Sequence, residues 1–121
     1  MVKIILYIFL GGGLGSLSRF ALSKSTFTSL HPKFPIGTLL ANLFACLLLG
    51  LIIYLSREKL DQNIFLKYFL VIGFCGGFST FSTFGYETVQ LMKQGMYLLA
   101  SLNIVLSLGL GFTILWALVK A

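Results

Sequence analysis

Charged residues are scarce in this sequence, and their scarcity restricts the class of protein it can encode. Only 10% of the 121 residues are charged, whereas 58% are hydrophobic. A soluble domain of this length needs far more polar surface to cover its core. The composition therefore excludes an ordinary soluble domain and predicts an integral membrane protein with little chain outside the bilayer.

Histidine and cysteine are also rare, which argues against a metal site and against catalysis. His31 is the only histidine, and Cys46 and Cys75 lie in apolar runs without a CxxC motif. Such thiols act as small hydrophobic side chains, and one histidine without acidic neighbours is no metal site. The serines have no nearby histidine or aspartate to act as their base, so an enzyme is not expected.

The net charge of +6 comes from basic residues that stand singly beside apolar runs. Basic side chains in that arrangement meet lipid headgroups and water. A nucleic-acid-binding surface would instead cluster them on a soluble face. We therefore expect the lipid bilayer as a partner and no nucleic acid.

Long apolar runs are abundant, and four of them reach the length of a membrane span. The predicted helices cover about residues 3–22, 34–56, 63–92 and 95–119, with polar segments at 23–34, 56–63 and 92–95 between them. A helix of roughly 20 residues crosses about 30 Å of hydrocarbon. The sequence thus predicts an all-α membrane protein, with residues 1–121 forming a single domain of four transmembrane helices.

The distribution of basic residues predicts no fixed orientation in the membrane. With four spans, both termini and the 56–63 loop lie on one side. That side carries five basic residues and the other carries four: Lys3, Arg57, Lys59, Lys67 and Lys120 against Arg19, Lys24, Lys33 and Lys93. The positive-inside rule needs a larger asymmetry. Insertion in both orientations, followed by antiparallel pairing of two copies, is the resulting hypothesis.

The segment FSTFSTF at residues 78–84 places four hydroxyl groups inside an apolar run. Polar groups inside a bilayer need partners, so they are candidate functional groups. Gly73, Gly76 and Gly77 precede the segment and weaken a helix there. We therefore expect a glycine-associated break in the third helix, which would free backbone groups to bind an ion.

The polar groups within the spans are hydrogen-bond donors rather than carboxylates. Asn42 and Thr38 lie in the second predicted helix and Ser107 in the fourth, and no acidic residue lies mid-span. A cation path lined by carboxylates is therefore not expected. Aromatic rings are positively polarised at their edges, and conduction favours several weak contacts over one strong one. This set of groups favours a small, hard anion.

Three motifs carry a resemblance to a known family. GFCGGFSTFSTF at 73–84 closely resembles the third-helix signature of the fluoride channel family, known as Fluc or CrcB. GTLLANLFACLLLG at 37–50 and GGLGSLSRF at 12–20 resemble its second-helix and first-helix motifs. The resemblance implies a fluoride-specific channel in the inner (plasma) membrane of a bacterial-type cell. It also implies an antiparallel, dual-topology homodimer with two pores that exports fluoride passively and relieves its toxicity.

The resemblance also implies roles for individual residues. The fluoride pore would contain the rings and polar groups of Asn42, Phe81, Phe84, Ser82, Thr83, Ser107 and Thr38. The backbone carbonyls of Gly76 and Ser79 would bind a structural Na⁺ at the two-fold axis of the dimer. Arg19 would lie near a vestibule, and Glu87 would help to hold the third helix.

Two alternatives remain open. A small dual-topology multidrug or cation exporter is also a four-helix dimer, but it needs an embedded carboxylate in its first helix to exchange protons for cationic drugs. The first predicted helix here contains Arg19 and no acid. A small structural subunit without transport activity is the second alternative, and it would leave the hydroxyl-rich segment unexplained.

Overall fold

The computed structural model describes residues 1–24 and 32–121, which contain helices and no strand. The helices are α1 (Val2–Ser23), α2 (Ile36–Ser56), α3 (Phe65–Cys75, continued by Gly76–Phe78), α4 (Phe81–Lys93) and α5 (Tyr97–Lys120). In this part of the chain, four stretches are long and apolar enough to cross a membrane: α1, α2, Phe65–Lys93 and α5. The predicted all-α membrane architecture is thus confirmed. His31 and most of the predicted 23–34 loop lie outside the described residues.

The third span is interrupted within its hydroxyl-rich segment. α3 is π-helical over Phe65–Cys75 and ends in one short α-helical turn that includes Gly76 and Gly77. Ser79 (φ −82°, ψ 158°) and Thr80 (φ −152°, ψ 119°) are extended, and α4 begins at the next residue. The span therefore bends after the glycines rather than at them.

α1 packs against α3 through small residues. A Cβ atom on Gly15 would lie 2.8 Å from the Phe78 backbone nitrogen and would collide with the Phe74 carbonyl oxygen. A Cβ atom on Gly77 would collide with the Gly12 carbonyl oxygen. Glycine at these positions lets the two backbones touch, which is how helices associate tightly in lipid. The contact fixes the end of α3 beside the middle of α1.

α5 packs against α2 and, less extensively, against α4. The contact with α2 again uses small residues, because Gly111 faces the Cys46 sulfur and Gly50 faces Leu118. The turn that joins α4 to α5 contains Gly95, whose φ of 77° favours glycine. α5 thus packs against both α2 and the second half of the third span.

The outer surface carries large apolar side chains such as Phe9, Leu98 and Trp116, all mostly exposed. An exposed apolar surface of this kind suits hydrocarbon rather than water. Cys46 is half-buried, Cys75 is buried, and both are free thiols. Gly11, Gly15 and Gly111 are buried between the helices, whereas many large apolar side chains face outward.

Candidate functional site

The break in the third span is bridged by the amide of Asn42 on α2. Its Nδ2 donates to the Thr80 carbonyl oxygen at 3.1 Å, and its Oδ1 accepts from the Thr80 backbone N–H at 2.7 Å. The two bonds fix the orientation of the amide, because a backbone N–H only donates and a carbonyl only accepts. The amide N–H₂ has two hydrogens, so one of them is left for another acceptor.

Thr80 also begins α4 as its N-cap. Its Oγ1 accepts a hydrogen bond from the Thr83 backbone N–H at 3.2 Å. Threonine at an N-cap satisfies a backbone donor that the first helical turn cannot serve. Thr80 therefore restarts the helix with its side chain while its backbone is held by α2.

The end of α3 is held from α1 and by its own serine. Arg19 on α1 donates from Nε to the Gly77 carbonyl oxygen at 3.3 Å. The Ser79 backbone N–H and hydroxyl both donate to the Cys75 carbonyl oxygen, at 3.1 and 3.0 Å. The predicted arginine of the first helix thus contacts the break directly, as a hydrogen-bond donor to its backbone.

Two carbonyl oxygens at the break lose the donors that a continuous helix would supply. The Thr80 N–H, which would serve Gly76, is bound to Asn42. The Thr83 N–H, which would serve Ser79, is bound to the Thr80 hydroxyl. Within the described residues neither carbonyl has another hydrogen-bond donor. Gly76 is also exposed, and a Cβ atom built on it would have nothing within 4 Å.

A cavity of about 210 Å³ lies beside the break, between α2, α4 and α5. Its lining brings together four predicted pore residues and the N-cap of α4, namely Asn42, Phe81, Phe84, Ser107 and Thr80. Among the described residues that line it, none is charged. The cavity is therefore mostly apolar with a few convergent polar groups, the usual composition of a small-ligand site.

The two phenylalanines of the cavity differ in exposure. Their ring centroids are 6.0 Å apart and the rings are tilted by 50°. Phe84 is 9% exposed, whereas Phe81 is 82% exposed in a single copy of the chain. One ring therefore belongs to the packed interior of the subunit, and the other projects away from it at the first residue of α4.

Ser107 is anchored by a buried polar network that the sequence did not predict. Its hydroxyl contacts Asn103 Oδ1 at 3.4 Å, and Asn103 Nδ2 donates to the Thr88 hydroxyl at 2.9 Å. The Thr88 hydroxyl donates in turn to the Phe84 carbonyl oxygen at 2.7 Å. Asn103 is 1% exposed. Thr88 and Asn103 lie at similar distances from the Gly95 turn, which could have suggested that they face each other across the hairpin.

A second cavity, of about 570 Å³, lies toward the start of α2 and the end of α4. Thr38 and Glu87 line it, together with Gln90 and Gln94. Thr38 and Glu87 both border this cavity, and Glu87 Oε1 is buried without a hydrogen-bond donor among the described residues. The two residues thus share a polar opening separate from the cavity around Asn42.

Of the other predicted residues near the break, Ser79 also lines the cavity around Asn42. Ser82 is exposed and Thr83 is half-buried, and neither is part of the wall around Asn42. In the part of the chain that the structure describes, no three His, Cys, Asp or Glu side chains come together. The candidate ligands for a cation there are the carbonyl oxygens of Gly76 and Ser79.

Comparison with known proteins agrees with the motifs. The family model described as "CrcB-like protein, Camphor Resistance (CrcB)" matches residues 6–119. A Coxiella burnetii protein named "Fluoride-specific ion channel FluC" is 41% identical over 113 residues, covering 93% of this chain and 91% of that protein. A Flavobacterium psychrophilum protein of the same name is 39% identical over 115 residues, covering 95% and 93%. Another from Pyrococcus horikoshii is 46% identical over 102 residues, covering 84% and 81%.

These matches cover the Asn42–Thr80 bridge, the break in the third span and the cavity beside it, rather than one isolated motif. The matched range 6–119 contains Arg19, Asn42, the 78–84 segment and Ser107. The relatives carry the name of an ion channel, not of an enzyme. On these grounds the chain belongs to the CrcB-like protein family.

Proposed function

We propose that this chain forms a fluoride-specific ion channel that lets fluoride leave the cell down its electrochemical gradient. The observation that carries the proposal is the cavity beside the broken third span, where neutral donors and aromatic rings meet without a charged side chain. The names of the relatives support the same function. Export would relieve the toxicity of fluoride that enters as HF and is trapped inside.

Neutral donors suit a small anion that must bind and leave quickly. Asn42 has one amide N–H without a partner among the described residues. The contact between Ser107 and Asn103 is long, at 3.4 Å, so the Ser107 hydroxyl proton can turn toward an anion. The edges of Phe81 and Phe84 add weak positive potential. Several weak contacts allow passage, whereas a lysine would trap the ion.

The polar groups around the cavity extend this path in both directions. The larger cavity that Thr38 and Glu87 line is the proposed vestibule on one side, and Arg19 contributes positive charge near the break. Glu87 would help to hold the third span from the cavity that it borders together with Thr38. The hydroxyls of Ser82 and Thr83, which stand outside the Asn42 cavity, would face the ion on the far side of the break.

A second copy of the chain is proposed to complete the pore. The Phe81 ring is 82% exposed although it lies mid-span, and Gly76 is exposed at the same break. An exposed aromatic ring and an exposed backbone segment at the same break favour an antiparallel homodimer in which each copy contributes to two pores. The near-equal basic charge of the two membrane sides is compatible with that arrangement.

The carbonyl oxygens of Gly76 and Ser79 are the proposed ligands of a structural Na⁺ shared by the two copies. Both lack donors among the described residues, and unwound backbone carbonyls coordinate Na⁺ in other membrane proteins. When bound, the ion supplies positive charge that compensates these oxygens. The chain's own contribution is to keep them free, because Asn42 and the Thr80 hydroxyl occupy the N–H groups that would otherwise serve them.

Fluoride efflux from liposomes tests the proposed activity. Purified protein reconstituted at about one dimer per vesicle should release trapped fluoride rapidly when valinomycin and K⁺ dissipate the membrane potential, and trapped chloride should remain. Asn42→Asp is the matched negative variant, because it puts a carboxylate beside the cavity with almost no change in size. Fluoride retention equal to that of protein-free vesicles would refute the proposal.

The antiparallel arrangement is tested separately. Reporters that are active on opposite sides of the membrane, each fused to the C-terminus, should both give signal because the chain inserts in both orientations. Signal from only one side would contradict dual topology while leaving the proposed anion flux to be judged by the liposome assay. The proposed location, the plasma membrane, is checked by fractionating the same cells.

A further inference from the structure

We infer that a cleft at one membrane surface, outside the proposed pore, binds the phosphate group of an anionic phospholipid. The cleft has a volume of about 540 Å³ and lies between the start of α1, the 57–63 segment and the start of α3. Lys3 and Lys59 line it, together with Gln62, Asn63 and Tyr7. The proposal is independent of the transported ion.

The charge of the cleft is positive and uncompensated. Of the two acidic residues nearest in sequence, Asp61 pairs with Lys67 at 3.6 Å, and Glu58 borders a neighbouring cavity that Lys59 also lines. Among the described residues, no carboxylate lines the cleft. Lys3 and Lys59 therefore border the same open volume, and an external anion is the partner that this arrangement favours.

The backbone adds to this potential. α1 begins at Val2 with no acidic residue in its first turn, and α3 begins at Phe65, also with none. Both helix starts carry partial positive charge. Asn63 already uses its Oδ1 to accept from the Leu66 backbone N–H at 3.1 Å. Its amide N–H₂ remains available to donate, as does that of Gln62, and both suit phosphate oxygens.

The position of the cleft selects a lipid rather than a free anion. It lies where two membrane-spanning stretches begin, at the depth of lipid headgroups. Its inner wall is aromatic: Tyr7 meets the Phe65 ring edge-on at 5.8 Å, and Lys3 lies 5.7 Å from the Tyr7 ring. On α1, Leu6 lies about one turn after Lys3 and Leu10 about one turn after Tyr7, and both leucines are about half exposed. A phosphate in the cleft would therefore continue into an apolar surface that fits an acyl chain.

The test compares which lipids the full-length protein retains. Protein is incubated with an equimolar mixture of phosphatidylglycerol and phosphatidylcholine of identical acyl chains, and bound lipids are counted by native mass spectrometry. Lys3→Gln/Lys59→Gln removes the cleft cations, and Lys93→Gln/Lys120→Gln is the charge-matched control. All four lysines are exposed, so both variants should fold, which thermal unfolding checks.

We expect wild type and control to prefer phosphatidylglycerol and the cleft variant to lose that preference. The loss should be about fivefold per lysine, because each basic residue near an anionic lipid surface contributes about that factor. Equal loss in both variants would mean that overall charge governs lipid binding and would overturn the proposal. Displacement of the lipid by inorganic phosphate at constant ionic strength would also overturn it, since the site would then recognise the free anion.

Discussion

Replacing Asn42 with alanine should loosen the break in the third span. The change removes hydrogen bonds of 3.1 and 2.7 Å and leaves the N–H and carbonyl of Thr80 without their partner on α2. Side-chain hydrogen bonds between membrane helices contribute about 0.6 kcal/mol on average and about 1.7 kcal/mol at most. Thr80 is extended and has no helical alternative, so we expect the upper value for each bond. The free energy of unfolding should therefore fall by about 3 kcal/mol.

Asn42→Asp separates the bridging role from the proposed role in permeation. Aspartate keeps an oxygen that can accept from the Thr80 N–H, but it loses the donor to the Thr80 carbonyl and adds negative charge beside the cavity. We expect this variant to have a lower free energy of unfolding than wild type, to remain folded and to pass no fluoride. Both variants should be less stable than wild type, and alanine should retain more flux.

The assay is reversible unfolding in detergent followed by circular dichroism, with fluoride efflux measured on the same preparations. Asn63→Ala is the control, because it also removes an amide that bonds to a backbone N–H, at 3.1 Å, but in an exposed position at the start of α3. Loss of such a cap should cost about 1 kcal/mol. The free energy of unfolding of Asn42→Ala could instead lie within about 0.5 kcal/mol of the wild-type value, well below the effect of a lost interhelical hydrogen bond. That result would show that the Asn42 bridge does not hold the break.

Four further variants test the rings, the helix packing and the N-cap. Phe81→Ile and Phe84→Ile should each cut fluoride efflux about tenfold or more in the liposome assay. Because only Phe84 is buried, only Phe84→Ile should also lower the free energy of unfolding, by about 1–2 kcal/mol. Wild-type flux in both variants would contradict the ring-edge role. Gly15→Ala should destabilise the fold by about 1–3 kcal/mol in denaturant unfolding. Gly13→Ala is the control and should not, because a Cβ atom at Gly13 would have nothing within 4 Å. Equal effects of the two changes would contradict the close approach of α1 and α3. Thr80→Val should cost about 1 kcal/mol in the same assay through loss of the N-cap, and unchanged stability would mean that the cap contributes nothing.

The spans could be predicted from hydropathy, but the exact course of the third span could not. Glycine weakens a helix, so the sequence indicated a break near Gly76 and Gly77. In the structure both glycines are helical and the extended residues are Ser79 and Thr80. The difference has a tertiary cause, because the amide that binds the Thr80 backbone comes from Asn42 on another helix. No local propensity encodes that partner.

The same break bears on why the pore residues that the resemblance implies do not all line one cavity. Spacing of three aligns the hydroxyls of 78–84 into stripes only on a continuous helix. The two extended residues interrupt that helix after Phe78, so the stripes do not continue from α3 into α4. Within α4, Phe81 and Phe84 are three residues apart and both line the Asn42 cavity, whereas Ser82 and Thr83 do not. Asn103 was recognisable as a polar residue inside a span, but its partner Thr88 depends on how the α4–α5 hairpin pairs.

The break also bears on why a single copy of this chain is an unfavourable species in lipid. An unsatisfied backbone group in hydrocarbon costs several kcal/mol, and the carbonyls of Gly76 and Ser79 have no donor among the described residues. The neighbouring Phe81 ring is 82% exposed in a single copy. An apolar partner surface would cover the ring but leave the carbonyls unpaired, whereas a second copy of the same segment with a shared cation would satisfy both. The segment beside which permeation is proposed therefore also supports the proposed self-association, and a variant that restores a continuous helix should lose flux and dimerisation together.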